Sequence, residues 1–173
     1  MSKAIRIVVL GIMVLFTGLA NAHCMKNRYY VGAGMGVNSA QSYSSTAGYQ
    51  VFAGYCLDFN FMSPRSKTSV EVGYMDTGDF EKETDAFGNN PNKSKIVTVN
   101  ESYSGLWFAG LAEYKFDNKM HIMGRVGLDV GDQTGILFGG GAGYNITKYA
   151  QIRAEYVLHE EVDSFQVNWI SEF

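Results

Sequence analysis

Cysteine, proline, excess positive charge and long apolar runs are all scarce in this sequence. Among 173 residues there are 2 cysteines and 2 prolines, and only 18% carry charge. A helix that crosses a bilayer needs about 20 consecutive apolar residues; no such run exists, so a helical membrane protein is excluded. The 20 glycines follow no three-residue period, which excludes a collagen-like chain. The formal charge is −3, and without a basic surface nucleic acid is not expected as a partner. The content is 46% hydrophobic and 14% aromatic, too rich in core-forming groups for a disordered chain.

The N-terminus reads as a secretory signal. Lys3 and Arg6 precede an apolar run from Ile7 to Leu19, and Ala20-Asn21-Ala22 offers the small-x-small site that a signal peptidase accepts. Cleavage after Ala22 divides the chain into a removed segment 1–22 and one mature domain, 23–173, with 12 cationic and 17 acidic residues. His23 directly before Cys24 is too large for a lipidation site, so no lipid anchor is expected.

Beyond the signal the dominant pattern has period two. Met120, Ile122, Gly124, Val126, Leu128 and Val130 alternate with His121, Met123, Arg125, Gly127 and Asp129. Ala150, Ile152, Ala154, Tyr156 and Leu158 alternate likewise with Gln151, Arg153, Glu155 and Val157. Further strands are predicted over about Arg28–Val37, Gly48–Asn60, Lys67–Asp76, Ser102–Phe116, Gly135–Ile146 and Phe165–Phe173, giving eight in all. Connections near Met62–Ser66, Asp117–Asn118 and Thr147–Lys148 are short. At the other end, Asn38–Ala47 and the twenty-odd residues of Asp79–Asn100 read as long polar loops, while Gly131–Thr134 and Glu160–Glu161 are brief. An even number of strands with long and short connections on opposite ends is the layout of an outer-membrane barrel.

The chain ends on Phe165-Gln166-Val167-Asn168-Trp169-Ile170-Ser171-Glu172-Phe173. This segment resembles the terminal strand of bacterial outer-membrane barrels, apart from Ser171 at an alternate position that is usually apolar. The run Gly141-Ala142-Gly143-Tyr144-Asn145-Ile146-Thr147-Lys148-Tyr149-Ala150-Gln151-Ile152-Arg153-Ala154-Glu155-Tyr156 is similar to the penultimate hairpin of the small eight-stranded barrels of the OmpA/OmpX type, including Opa-like porin-family domains. The resemblance covers the mature chain. It implies an all-β, up-and-down antiparallel transmembrane barrel in the outer membrane of a Gram-negative cell envelope, with both termini periplasmic. It also implies contact with outer-membrane lipid and lipopolysaccharide, and recognition of Trp169 and Phe173 by the barrel-assembly machinery. Tyr29, Phe59, Tyr114, Phe116, Tyr144 and Phe173 fall near the short-turn ends and are expected to form an interfacial girdle.

A closed sheet of eight strands is just wide enough inside for side chains. Glu71, Glu113, Lys115, Arg125, Arg153 and Glu155 are therefore expected to form a charge-paired plug rather than line a pore. Export places Cys24 and Cys56 in an oxidising space, and a first hairpin centred near residue 40 would bring them opposite each other, so a bridge is expected. No cofactor is expected. The glycines of Gly32-Ala33-Gly34-Met35-Gly36 alternate within one strand and open no helix that could hold a pyrophosphate. His23, His121 and His159 are too dispersed for a metal site. Function then falls to the loops, where Lys82, Phe87, Lys93 and Lys95 could meet host surfaces, phage, anionic sugars or phosphates. Two other readings stand beside this one. A soluble lipocalin-like barrel would turn the apolar face inward around a hydrophobic ligand, and a lipid-modifying barrel enzyme would use His159 with Glu160 or Glu161 and Ser164; no catalytic role is expected of them.

Overall fold

A computed structural model describes residues 28–40, 44–57, 63–85, 96–117, 119–132, 134–160 and 162–173, with backbone alone for residues 28, 81–85 and 96–101. Eight strands follow in chain order: β1 (Arg28–Ala40), β2 (Thr46–Leu57), β3 (Ser66–Asp85), β4 (Ile96–Lys115), β5 (Met120–Gly131), β6 (Thr134–Asn145), β7 (Ala150–Leu158) and β8 (Val162–Glu172). Each strand pairs antiparallel with the next, and β8 returns to β1 to close the barrel. Closure leaves the barrel wall without an edge strand, the condition for a sheet surrounded by hydrocarbon. The ends are called proximal, where the chain enters β1 and leaves β8, and distal, where β1 turns into β2.

The two faces of the alternating pattern separate inside from outside, and they do so inversely to a soluble protein. Met35, Val51, Phe108, Val126, Leu128, Phe138, Ile152 and Phe165 point outward and are exposed, whereas Gln50, Glu71, Glu113, Arg125, Arg153, Glu155 and Asn168 are buried in the interior. An apolar exterior around a polar interior is stable only against an apolar solvent. This orientation overturns the lipocalin-like alternative, which required the same apolar residues to point inward. At the proximal end Tyr29, Tyr114, Phe116 and Tyr144 are exposed on the outer face, where the girdle is expected. The Tyr29 ring lies tilted against Tyr55 at 5.1 Å, and Tyr114 meets Phe116 edge to face at 5.5 Å. The Phe173 amide donates to the Tyr29 carbonyl at 3.0 Å, tying the end of the chain to β1; Phe59 lies outside the described residues.

Inward glycines make room for inward aromatics. A Cβ at Gly32 would meet the Phe52 ring, one at Gly54 the Tyr30 ring, one at Gly73 Trp107, and one at Gly143 His121. Small residues opposite large ones are how a narrow barrel fills its interior to close packing.

The principal departure from expectation concerns Asp79–Asn100. Instead of a loop of some twenty residues, the β3–β4 ladder continues from Asp79↔Ser102 to Asp85↔Ile96, and the connection shrinks to residues 86–95. A register shift between Asp76 and Asp79, with Gly78 at φ 77°, interrupts the period of two. That bulge, together with the low strand propensity of Asp, Glu and Lys, disguised the strand. Beyond it the two strands pair only with each other, since β2 leaves β3 at Asp76 and β5 leaves β4 at Gly105. The result is a two-stranded ribbon of seven rungs, about 23 Å long at the usual strand rise, standing above the distal rim.

Candidate functional site

The interior at mid-height is the most highly organised part of the molecule. Arg153 on β7 donates from Nη1 and Nη2 to Glu71 Oε1 on β3, both at 3.0 Å. Its Nε donates to Glu155 Oε1 at 2.5 Å. Arg125 on β5 donates to Glu155 Oε2 at 3.0 Å and lies 3.8 Å from Glu71 Oε2. Two guanidinium groups thus face two carboxylates, all fully buried, and the quartet is neutral. Period two explains the placement, since 71, 125, 153 and 155 all carry the inward parity of their strands.

Neutral donors and aromatic faces complete the arrangement. Tyr30 donates to Glu71 Oε1 at 2.9 Å, and Asn168 to Glu155 Oε1 at 2.8 Å. Gln50 continues the chain by donating to Asn168 at 2.7 Å and to Gln166 at 2.6 Å. The Arg125 guanidinium lies 4.1 Å from the Trp107 ring centre, and that of Arg153 5.1 Å from Phe52. Buried charges are tolerable only when paired and hydrogen-bonded; every charge of the quartet is paired, Glu71 Oε2 and Arg125 Nε alone among its buried atoms lack a hydrogen bond to the described residues, and the group occupies the space a channel would need.

Glu113 and Lys115, expected in the same group, lie apart from it. Glu113 sits nearer the proximal end, 3.9 Å from Lys67, whose Nζ also donates to Glu172 at 3.1 Å. Lys115 stands opposite His121 in the register and joins no ion pair among the described residues. The residues that sequence reading missed, Lys67, Tyr30, Gln50, Asn168 and Gln166, all share the inward parity, which was the available signal; their uncharged or terminal positions hid it.

Of the other expected sites, Cys56 is buried on the inner face and stands opposite Arg28. The first hairpin is centred near residue 42 instead of 40, and Cys24 lies outside the described residues. Lys82 belongs to the ribbon, opposite Val99, while Phe87, Lys93 and Lys95 lie outside the described residues. Trp169 faces outward and half-exposed, its Nε1 donating to Ser171 Oγ at 3.2 Å. Of the residues considered for catalysis, Ser164 donates to Asn38 Oδ1 inside the barrel, and His159 points inward to Asp129 at 2.7 Å. Neither meets the lipid-facing surface.

No family model matches this sequence, and no curated protein matches it either. Solved structures do match the fold. The outer-membrane enzyme PagL superposes with a TM-score of 0.53 at 14% identity, over 82% of this chain and 98% of that one. Neisserial surface protein A gives 0.52 at 14%, over 84% and 95%. The Yersinia pestis outer-membrane protein Ail, in a phospholipid bilayer nanodisc, gives 0.50 at 13%, over 83% and 99%. At such identities the likeness concerns the fold, and the fold this chain shares is that of the small eight-stranded transmembrane β-barrels.

Proposed function

We propose that this chain is an integral protein of the bacterial outer membrane that acts at the cell surface, in adhesion or envelope integrity, and not as a channel or an enzyme. The ribbon formed by Asp79–Asp85 and Ile96–Ser102 carries this reading. A barrel whose interior is filled by a neutral, hydrogen-bonded quartet has little to transport, whereas a ribbon raised above the rim on a rigid scaffold is placed to be touched. The sequence of the ribbon and of the segment 86–95 that connects its strands includes Lys82, Phe87, Lys93 and Lys95, a composition suited to anionic sugars or phosphates of lipopolysaccharide, a host surface or a phage.

The signal at residues 1–22 directs export, the short-turn end with both termini faces the periplasm, and the terminal Trp169 and Phe173 serve recognition by the assembly machinery. In that oxidising compartment Cys24 and Cys56 form a bridge. Thiol labelling of the denatured, unreduced protein at two sites per chain would refute the bridge.

The test of the surface role replaces residues 82–99 by an Asn-Gly turn, which suits a two-residue hairpin. The shortened protein is expected to keep the heat-dependent gel mobility of a closed barrel while losing adhesion, phage sensitivity or envelope integrity. All three unchanged would overturn the role.

A further inference from the structure

The distal mouth of the lumen holds a second polar group that the central quartet does not use. His159, in the β7–β8 connection, places Nδ1 2.7 Å from Asp129 Oδ2 on β5. The contact spans β6, where Gly135 stands opposite Asp129 and a Cβ would meet the Glu160 side chain. The His159 side chain is only 6% exposed and that of Asp129 15%. With the Asp129 carboxylate accepting from Nδ1–H, the lone pair of the imidazole lies on Nε2. That Nε2 is buried and has no hydrogen-bond partner among the described residues. An acceptor left in this state costs free energy that a bound donor would recover.

His159 and Asp129 also line a mouth cavity of about 370 Å³, solvent space included, together with Met75, Tyr103 and Val162. Among the described side chains, the carboxylates Asp76, Asp79, Asp129, Asp132, Glu160 and Asp163 lie at the distal end, whereas Arg65, Lys67, Lys115, Lys119 and Lys148 lie at the proximal end. Among the described residues that line the cavity, Asp129 is the one carboxylate, and its charge favours a cation there over an anion.

We propose that this pocket binds a small primary ammonium, which donates N–H to His159 Nε2, is balanced by Asp129, and lays a short alkyl chain against Met75 and Val162. The buried, unpartnered Nε2 supplies the acceptor, the carboxylate the preference for positive charge, and the apolar wall the preference for an alkyl group. This site is independent of the surface role, for it uses none of the ribbon's residues beyond the bulge.

The full mature chain, refolded in detergent micelles, provides the test. The Met75 methyl and His159 Cε1–H signals are followed by NMR at pH 8 while n-butylammonium is added, with n-butanol and butyrate at equal ionic strength as comparators. A saturable shift of both signals with the amine is expected. It should weaken at least tenfold in Asp129→Asn and vanish in His159→Leu, each variant first shown to keep the heat-dependent mobility of the closed barrel. Should either variant fail to close, Val162→Trp, which fills the cavity without touching the dyad, is expected to abolish the shift. Absence of saturation in the native chain, an equal response to butanol or butyrate, or full retention in the folded variants would overturn the assignment.

Discussion

Arg153 and Glu71, 82 residues apart in the chain, meet across the lumen through two hydrogen bonds from one guanidinium to one carboxylate oxygen. Both side chains are fully buried. Removing one partner from such a pair leaves an uncompensated charge and typically costs about 3–5 kcal/mol. Arg153→Ala, which leaves Arg125 as the one cation facing both Glu71 and Glu155, is expected to lower unfolding stability in lipid vesicles by that amount. The double variant Arg153→Met with Glu71→Gln should lose less than the sum of the single changes, since each removes the cost created by the other. Additive losses in a double-mutant cycle would mean that the pair contributes no coupling.

The outward face offers the opposite experiment. Val126 lies near the middle of β5 and is 53% exposed on the apolar exterior. If that exterior meets hydrocarbon, Val126→Arg should cost about 2–4 kcal/mol in bilayers, the range for a cation at the midplane of a barrel. In a water-exposed sheet the same change would be near neutral. Denaturant titrations in vesicles, with midpoints compared between the two proteins, decide the matter.

Glycine substitutions should divide by face. At Gly54 an added Cβ would run into the Tyr30 ring, whereas at Gly140 the nearest atom is the Met123 carbonyl oxygen at 3.5 Å. Gly54→Ala is therefore expected to destabilise by about 1–3 kcal/mol through overpacking. Gly140→Ala should be neutral or stabilising by up to about 1 kcal/mol, because it restricts the unfolded chain without a clash. Unfolding midpoints at fixed lipid composition provide the comparison, and equal losses at both positions would contradict the packing assigned here.

These contrasts also explain what could be read from sequence. The alternation at Met120–Val130 and Ala150–Leu158 specified strand, face and inward charge together, because a residue's parity decides its side of the wall. That logic reached Arg125, Arg153, Glu71 and Glu155. It could not say that Glu113 would instead approach Lys67, a matter of height along the lumen set by the stagger of adjacent strands. Nor could it find the ribbon, where the bulge at Asp76–Asp79 shifts parity and charged residues mimic a loop. The His159–Asp129 contact was equally hidden, since it joins a turn to a strand across β6, and nothing local in either segment announces the other.

The short β4–β5 turn yields a prediction about acid. Asp117 Oδ1 accepts from the backbone amides of Lys119 and Met120, each at 2.7 Å. These two bonds favour the ionised form and hold the Asp117 carboxyl below the ordinary aspartate range. A carboxyl depressed in the folded state stabilises fully above its unfolded value, near pH 3.9, and that contribution is lost as pH falls through the lower folded value. Asp117→Asn keeps an acceptor but no charge. Its unfolding midpoint should therefore lie below that of the native protein at pH 7 and pH 5, and the gap should close as pH falls below about 4. A gap that stays constant down to pH 2 would show that the side chain acts through shape alone and that its charge contributes nothing to the turn.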